Sequence, residues 1–188
     1  IIVSLVGSEM CIRDSDRASA SVKGRNPDIT QEELGRLSRS IGIGAVKYSD
    51  LKSDRTKDYV FDWEKMLSFE GETGPYLQYA HARISSILRN DKFQQSKSGP
   101  TSFSLAHESE MRLAREIMKY PESVDQAAED LAPHRICKQL HRLSQAFAAF
   151  YENCPVLVAD DNTRNERLAL CRITGGILKH GLSLLGID

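Results

Sequence analysis

Residues 61–83, FDWEKMLSFEGETGPYLQYAHAR, carry a helix start and a chemical stripe in a single run. Pro75 suits a first helical turn, where a missing N–H costs nothing, and Gly74 or Thr73 can cap that turn. At 3.6 residues per turn, Tyr76, Tyr79 and Arg83 fall within about 60° of one another. Leu77, Ala80, Ile84, Ile87 and Leu88 form a separate apolar stripe about a quarter turn away, suited to burial. Two aromatic rings and a guanidinium beside a buried face can stack on unpaired bases and hold a phosphate. The same spacing also describes a core margin, with tyrosine hydroxyls reaching polar partners and Arg83 at the surface. Geometry alone leaves both readings open.

The pattern on either side is helical. Upstream, Thr30 and Glu33 have capping-box spacing and open a helix through Leu34, Leu37 and Ile41. Gly42 and Gly44 interrupt that pattern, so AVKYSDLKS is expected to form a second helix. Tyr59, Phe61 and Trp63 alternate with Val60 and Asp62, which predicts a short extended segment before a helical turn at WEKMLSF. EGETG then forms a compact loop. Downstream, Asp91 to Ser104 is polar and contains QQSKSGPTS, the clearest linker. After it, Glu108 to Lys119 carries Met111, Ala114, Ile117 and Met118, and Pro121 to Asp130 makes a short helix. Ala132 to Glu152 places Ile136, Leu140, Leu143, Phe147 and Phe150 at alternating spacings of four and three. Asn165 to Leu185 repeats that rhythm through Leu168, Cys171, Leu178, Leu182 and Leu185. Such rhythms mark helix faces that pack on other helices. No strand run is long enough to build a sheet, and the fold class expected is all-α, a helical bundle.

Composition sets few limits. The chain has 188 residues, 40% hydrophobic and 27% charged, as in a soluble globular protein with a sizeable core. A formal net charge of −1 gives no global field toward nucleic acid or membrane, while leaving room for a local basic patch. Cys11, Cys137, Cys154 and Cys171 include no C-x-x-C pair, so reduced thiols in a cytoplasmic protein are expected. The first fifteen residues, IIVSLVGSEMCIRDS, differ from the rest. Their apolar run is too short to span a bilayer and has neither the basic flank nor the cleavage site of a secretory signal. The string resembles translated sequencing-adapter sequence, and residues 1–15 are expected to be non-native.

Searching for catalytic chemistry mostly excludes it. His134, Cys137 and His141 share one helix, yet three ligands beside Ile136 and Leu140 read better as packing and capping, and no metal site is expected. His81 reads as a structural histidine. No nucleophile signature occurs, GETGP is too short for a phosphate-cradling loop, and no G-x-x-x-x-G-K-[ST] is present. Lys47, Lys52, Arg55 and Lys57 form a modest basic cluster, either a solvated face or a phosphate contact. Tyr151 lies one step off the face that ends at Phe150 and is a candidate exposed aromatic, or else a tyrosine at the bundle rim.

Three blocks then resemble one family. GIGAVKYSDLKSDRTKDYVFDWEKMLSFEGETGPYLQYAHARISSILR is similar to the end of the catalytic half of arginyl-tRNA synthetases, where it enters the helical anticodon-binding domain. LAPHRICKQLHRLSQAFAAFYENCPVL resembles the middle of that domain. RNERLALCRITGGILKHGLSLLGI resembles its last long helix, with RLALC in the signature region of the DALR domain. The resemblance runs from about Asp16 to Asp188. It implies residues 16–72 as the catalytic domain's end and stem-contact region, and 73–188 as the anticodon-binding bundle.

The family consists of class I ligases in which ATP activates arginine before its transfer to tRNA, with ATP and Mg in the parent enzyme. The H-I-G-H element and lysine loop lie outside the matching blocks. The chain alone is therefore expected to hold no catalytic residue, to bind neither ATP nor Mg, and not to aminoacylate. It is also expected to stop a few residues short of the family's usual end. The partner implied is the anticodon arm of arginine tRNA, with no membrane and no DNA, and with a monomeric parent. On this sequence the anticodon-binding positions are Tyr76, Tyr79, Arg83 and Tyr151, with the loop Ser68–Gly74 approaching the same arm. Pro155 stands where some eukaryotic relatives carry tryptophan, which implies a different reading of bases outside the central cytosine. The alternative from another class is a freestanding helical protein-interaction module whose exposed aromatic edge, around Tyr76 and Tyr151, meets a partner protein.

Overall fold

The computed structural model describes residues 19, 29–58, 60, 62–89, 100, 102–156 and 160–188. Residues 1–15 and most of the 91–104 linker lie outside that set, as do Tyr59 and Phe61 of the expected extended segment. Among the described residues all regular structure is helical. The elements are α1 (Gln31–Leu51), α2 (Trp63–Met66), α3 (Gly74–Leu88), α4 (Glu108–Met118), α5 (Tyr120–Glu129), α6 (His134–Asn153) and α7 (Asp161–Leu184). No described helix is long and apolar enough to cross a membrane. The chain divides into two compact units, one ending at Gln78 but also holding Ser183–Asp188, the other Tyr79–Leu182.

In the first unit, Thr30 caps α1: its hydroxyl accepts from the Glu33 N–H at 3.3 Å and donates to the Glu33 carboxylate at 2.9 Å. Leu34 and Ile41 lie on one helical face, about two turns apart, and gather Ile29, Leu67 and Phe69 around them. The expected break at Gly42 and Gly44 does not occur, and α1 runs unbroken for 21 residues. Packing explains why. A Cβ on Gly74 would sit 2.6 Å from the Gly44 carbonyl oxygen, and one on Gly44 would sit 2.9 Å from the Gln78 amide nitrogen. The glycines bring two backbones together, and that contact outweighs the roughly 1 kcal/mol that glycine costs inside a helix. Asp62, in extended backbone, caps α2 through the Lys65 N–H at 3.2 Å, so Trp63 begins a helical turn instead of ending a strand.

Thr73 starts α3. Its hydroxyl donates to the Ser68 carbonyl at 2.6 Å and accepts from the Tyr76 N–H at 3.1 Å, closing the 68–73 loop and capping the helix together. Gly71, at φ 78°, supplies the left-handed turn within that loop. Lys52 holds the loop from α1 by donating to the Glu72 carbonyl at 2.9 Å.

In the second unit, α4 and α5 both pack on α6. The α6 face is the one read from the sequence: Ile136, Leu140, Leu143, Phe147 and Phe150 are all buried. On α7, Leu168, Cys171, Leu178 and Leu182 are likewise buried. Burial pushes the Cys171 thiol up to about 12. Gly175 lets α7 approach Ile84 of α3, and Gly181 lets it approach Leu140 of α6, where a Cβ would lie 2.9 Å and 2.5 Å from side-chain carbons. The inward face of α4 differs from expectation. Leu113 and Glu110 are buried, while Met111 and Met118 are exposed. Glu110 is drawn inward because it completes a capping box with His107 and pairs with Arg167 of α7, its Oε1 2.7 Å from the Arg167 Nε.

Candidate nucleic-acid interface

The site is built from Tyr79 and Arg83 of α3 and from the end of α6, all within the second unit. The α3 stripe Leu77, Ala80, Ile84 and Ile87 is buried. That fixes the rotation of the helix and turns the neighbouring flank outward. Tyr79 is 46% exposed, and Arg83, one turn on, is exposed as well. Arg83 lays its guanidinium over the Tyr151 ring, with Cζ 4.5 Å from the ring centroid. That distance lies within the range of a cation–π contact. Among the described residues the Arg83 guanidinium makes no hydrogen bond and no ion pair.

Tyr151 is half-buried at the end of α6 and stacks on Phe147, centroids 6.1 Å apart and planes 29° from parallel. Phe147 in turn touches Phe150 at 6.0 Å. The turn that follows is held from below. Arg167 donates from Nη1 to the Pro155 carbonyl at 2.9 Å and from Nε to Glu110, and Glu110 accepts from the His107 N–H at 3.0 Å. Cys154 is buried beside this pair, and burial, with the Glu110 charge adding, pushes its thiol up. Pro155 itself is exposed.

Tyr76 belongs to the first unit, in the first turn of α3, where it is half-buried and burial pushes its phenol up. The stripe is thus uneven along its length, with Tyr76 the least accessible ring and Tyr79 the most open. Two members of the basic cluster make backbone contacts of their own. Lys47 donates to the Gly186 carbonyl and Lys52 to the Glu72 carbonyl, so two of its four charges serve the first unit's own backbone.

His134, Cys137 and His141 share α6 as expected, with Cys137 fully buried, and among the described residues no group of three His, Cys, Asp or Glu is placed to hold a metal. His81 is half-buried in α3. Burial, and the nearby Lys179 ammonium, pull its pKa below the ordinary 6.5. Two contributors escaped the sequence reading. Phe147 was read only as core, and its i, i+4 spacing to Tyr151 is the signal that could have marked it as a ring neighbour. The Glu110–Arg167 pair joins residues far apart in the chain and left no local signal.

Comparison with known proteins bears on the family and the fold. Residues 77–188 match the family model described as DALR anticodon binding domain. Residues 8–63 match the catalytic domain of class I tRNA synthetases (R). The arginine–tRNA ligase of Proteus mirabilis is 46% identical over 175 residues, covering 92% of this chain and 30% of that protein. That of Frankia casuarinae is 46% identical over 172 residues, covering 91% and 29%. Among solved structures, the Thermus thermophilus arginyl-tRNA synthetase superposes with a TM-score of 0.85 at 33% identity, over 96% of this chain and 31% of that one. The Plasmodium falciparum arginyl-tRNA synthetase gives 0.86 at 31% identity, over 95% and 32%. The chain spans about 30% of the length of the curated relatives it matches. With more than half of its residues accounted for by one family model, the chain belongs to the DALR anticodon binding domain family.

Proposed function

We propose that this chain is the C-terminal part of an arginine–tRNA ligase and that its own contribution is recognition of the anticodon arm of arginine tRNA. The observation that carries the reading is the DALR match over the segment that holds Tyr79, Arg83 and Tyr151. The exposed Tyr79 and the uncommitted Arg83 support it, because an anticodon loop offers splayed bases with open π-faces, polar edges and phosphates. A tyrosine stacked on a base contributes about 1–3 kcal/mol. Arg83 adds a charge-assisted bond to a phosphate or base edge. In this reading Tyr76 and the 68–73 loop closed by Thr73, both in the first unit, also meet the RNA. In the parent enzyme, a cytoplasmic monomer, ATP and Mg serve arginine activation. This portion selects the tRNA and supplies no catalytic residue.

Tyr79→Ala and Arg83→Ala, each placed in a complete enzyme, are expected to weaken arginine tRNA binding by about tenfold or more. Equilibrium filter binding measures this directly. Unchanged affinity in both variants would overturn the site assignment.

A further inference from the structure

We infer that the Tyr151 ring is a mount for the Arg83 guanidinium, braced from the core by Phe147, and that Arg83 rather than Tyr151 is the group that meets RNA. This rests on the RNA-binding reading above and assigns its parts. An arginine on an exposed helix face ordinarily samples many rotamers, and ordering it opposes binding. Here the ring lies 4.5 Å from Cζ and confines the guanidinium plane before any ligand arrives. The contact is with the ring and not with an acceptor, and no hydrogen-bond acceptor among the described residues takes up the guanidinium N–H groups. No carboxylate among the described residues competes for them.

The mount is itself fixed. Phe147 is 2% exposed and cannot reach a ligand, yet its ring stacks on Tyr151 and leans on the fully buried Phe150. All three aromatics lie on α6, at i, i+3 and i+4, so the helix that forms the core also sets the height of the ring beneath Arg83. Phe147 is therefore a positioning residue, and Tyr151 acts through its ring and not through its hydroxyl.

The test uses the full 188-residue chain, an arginine tRNA transcript as probe, and the variants Tyr79→Ala, Arg83→Ala, Tyr151→Leu, Tyr151→Phe and Phe147→Leu, with thermal melts to check folding. Tyr151→Leu is expected to lose roughly as much affinity as Arg83→Ala, about tenfold, and the double variant to lose no more than either alone. Tyr151→Phe, which keeps the ring, is expected to recover what Tyr151→Leu loses. In the RNA-free chain, the Arg83 side-chain resonances should show a ring-current displacement that survives Tyr151→Phe, shrinks in Phe147→Leu and vanishes in Tyr151→Leu. Additive losses, or failure of Tyr151→Phe to recover affinity, would mean that Tyr151 touches RNA itself, and would overturn the mount. So would undisplaced Arg83 resonances. A loss in Tyr79→Ala without one in Arg83→Ala or Tyr151→Leu overturns the mount and leaves the RNA reading standing. No loss in any variant overturns both.

Discussion

Arg83 and His81 sit two residues apart on α3 and meet opposite environments. Arg83 faces outward and rests on a ring, while His81 is half-buried near the Lys179 ammonium. Burial first, then that charge, holds the imidazole below its ordinary pKa of 6.5. The unfolded chain therefore takes up the proton earlier as pH falls. The stability tied to neutral His81 is fully present above about pH 6.5 and is lost as pH falls toward the depressed folded value. Melting temperatures measured between about pH 7.5 and 5.5 should fall on acidification, and less so in His81→Gln. An identical pH dependence in that variant would show that other groups govern it. The side chains of the stripe were legible from the spacing of Tyr76, Tyr79 and Arg83, since helical register alone places them on one face. What Arg83 touches was not legible, because Tyr151 reaches it across two helices far apart in the chain.

At the scale of the element, caps and rhythms carried most of the information. Thr30, Asp62 and Thr73 all begin their helices through side-chain oxygens that accept backbone N–H groups. The apolar rhythms of α6 and α7 predicted their buried faces because each is long enough for the period to stand out. Glycine misled the reading of α1, since propensity cannot distinguish a breaker from a close approach. Gly44 and Gly74 are close approaches, whereas Gly35 in the same helix is exposed with open space beyond it. Gly74→Ala is expected to cost about 1–3 kcal/mol by overpacking, and Gly35→Ala to stabilise by up to about 1 kcal/mol. Urea titrations of the two variants read both signs. A harmless Gly74→Ala would show that the backbones can part. The α4 face misled for a different reason. Met111 and Met118 are apolar but exposed, while Glu110 is buried because Arg167 and the His107 N–H satisfy it.

At the scale of the whole molecule, the all-α class and the resemblance carried by three sequence blocks agree with the fold and with the family match over 77–188. Where the compact units divide was harder to read, for Ser183–Asp188 return to the first unit through tertiary contacts such as that of Lys47 with Gly186. The proposed function requires that this chain distinguish one RNA loop from another. The most direct measurement is a gel-shift titration of the 188-residue chain with an arginine tRNA transcript and with the same transcript carrying a changed central anticodon base. Tighter binding to the unchanged transcript is expected, with an affinity that falls as salt rises. Equal, weak and salt-insensitive binding to both RNAs would contradict it and favour a helical module that meets another protein.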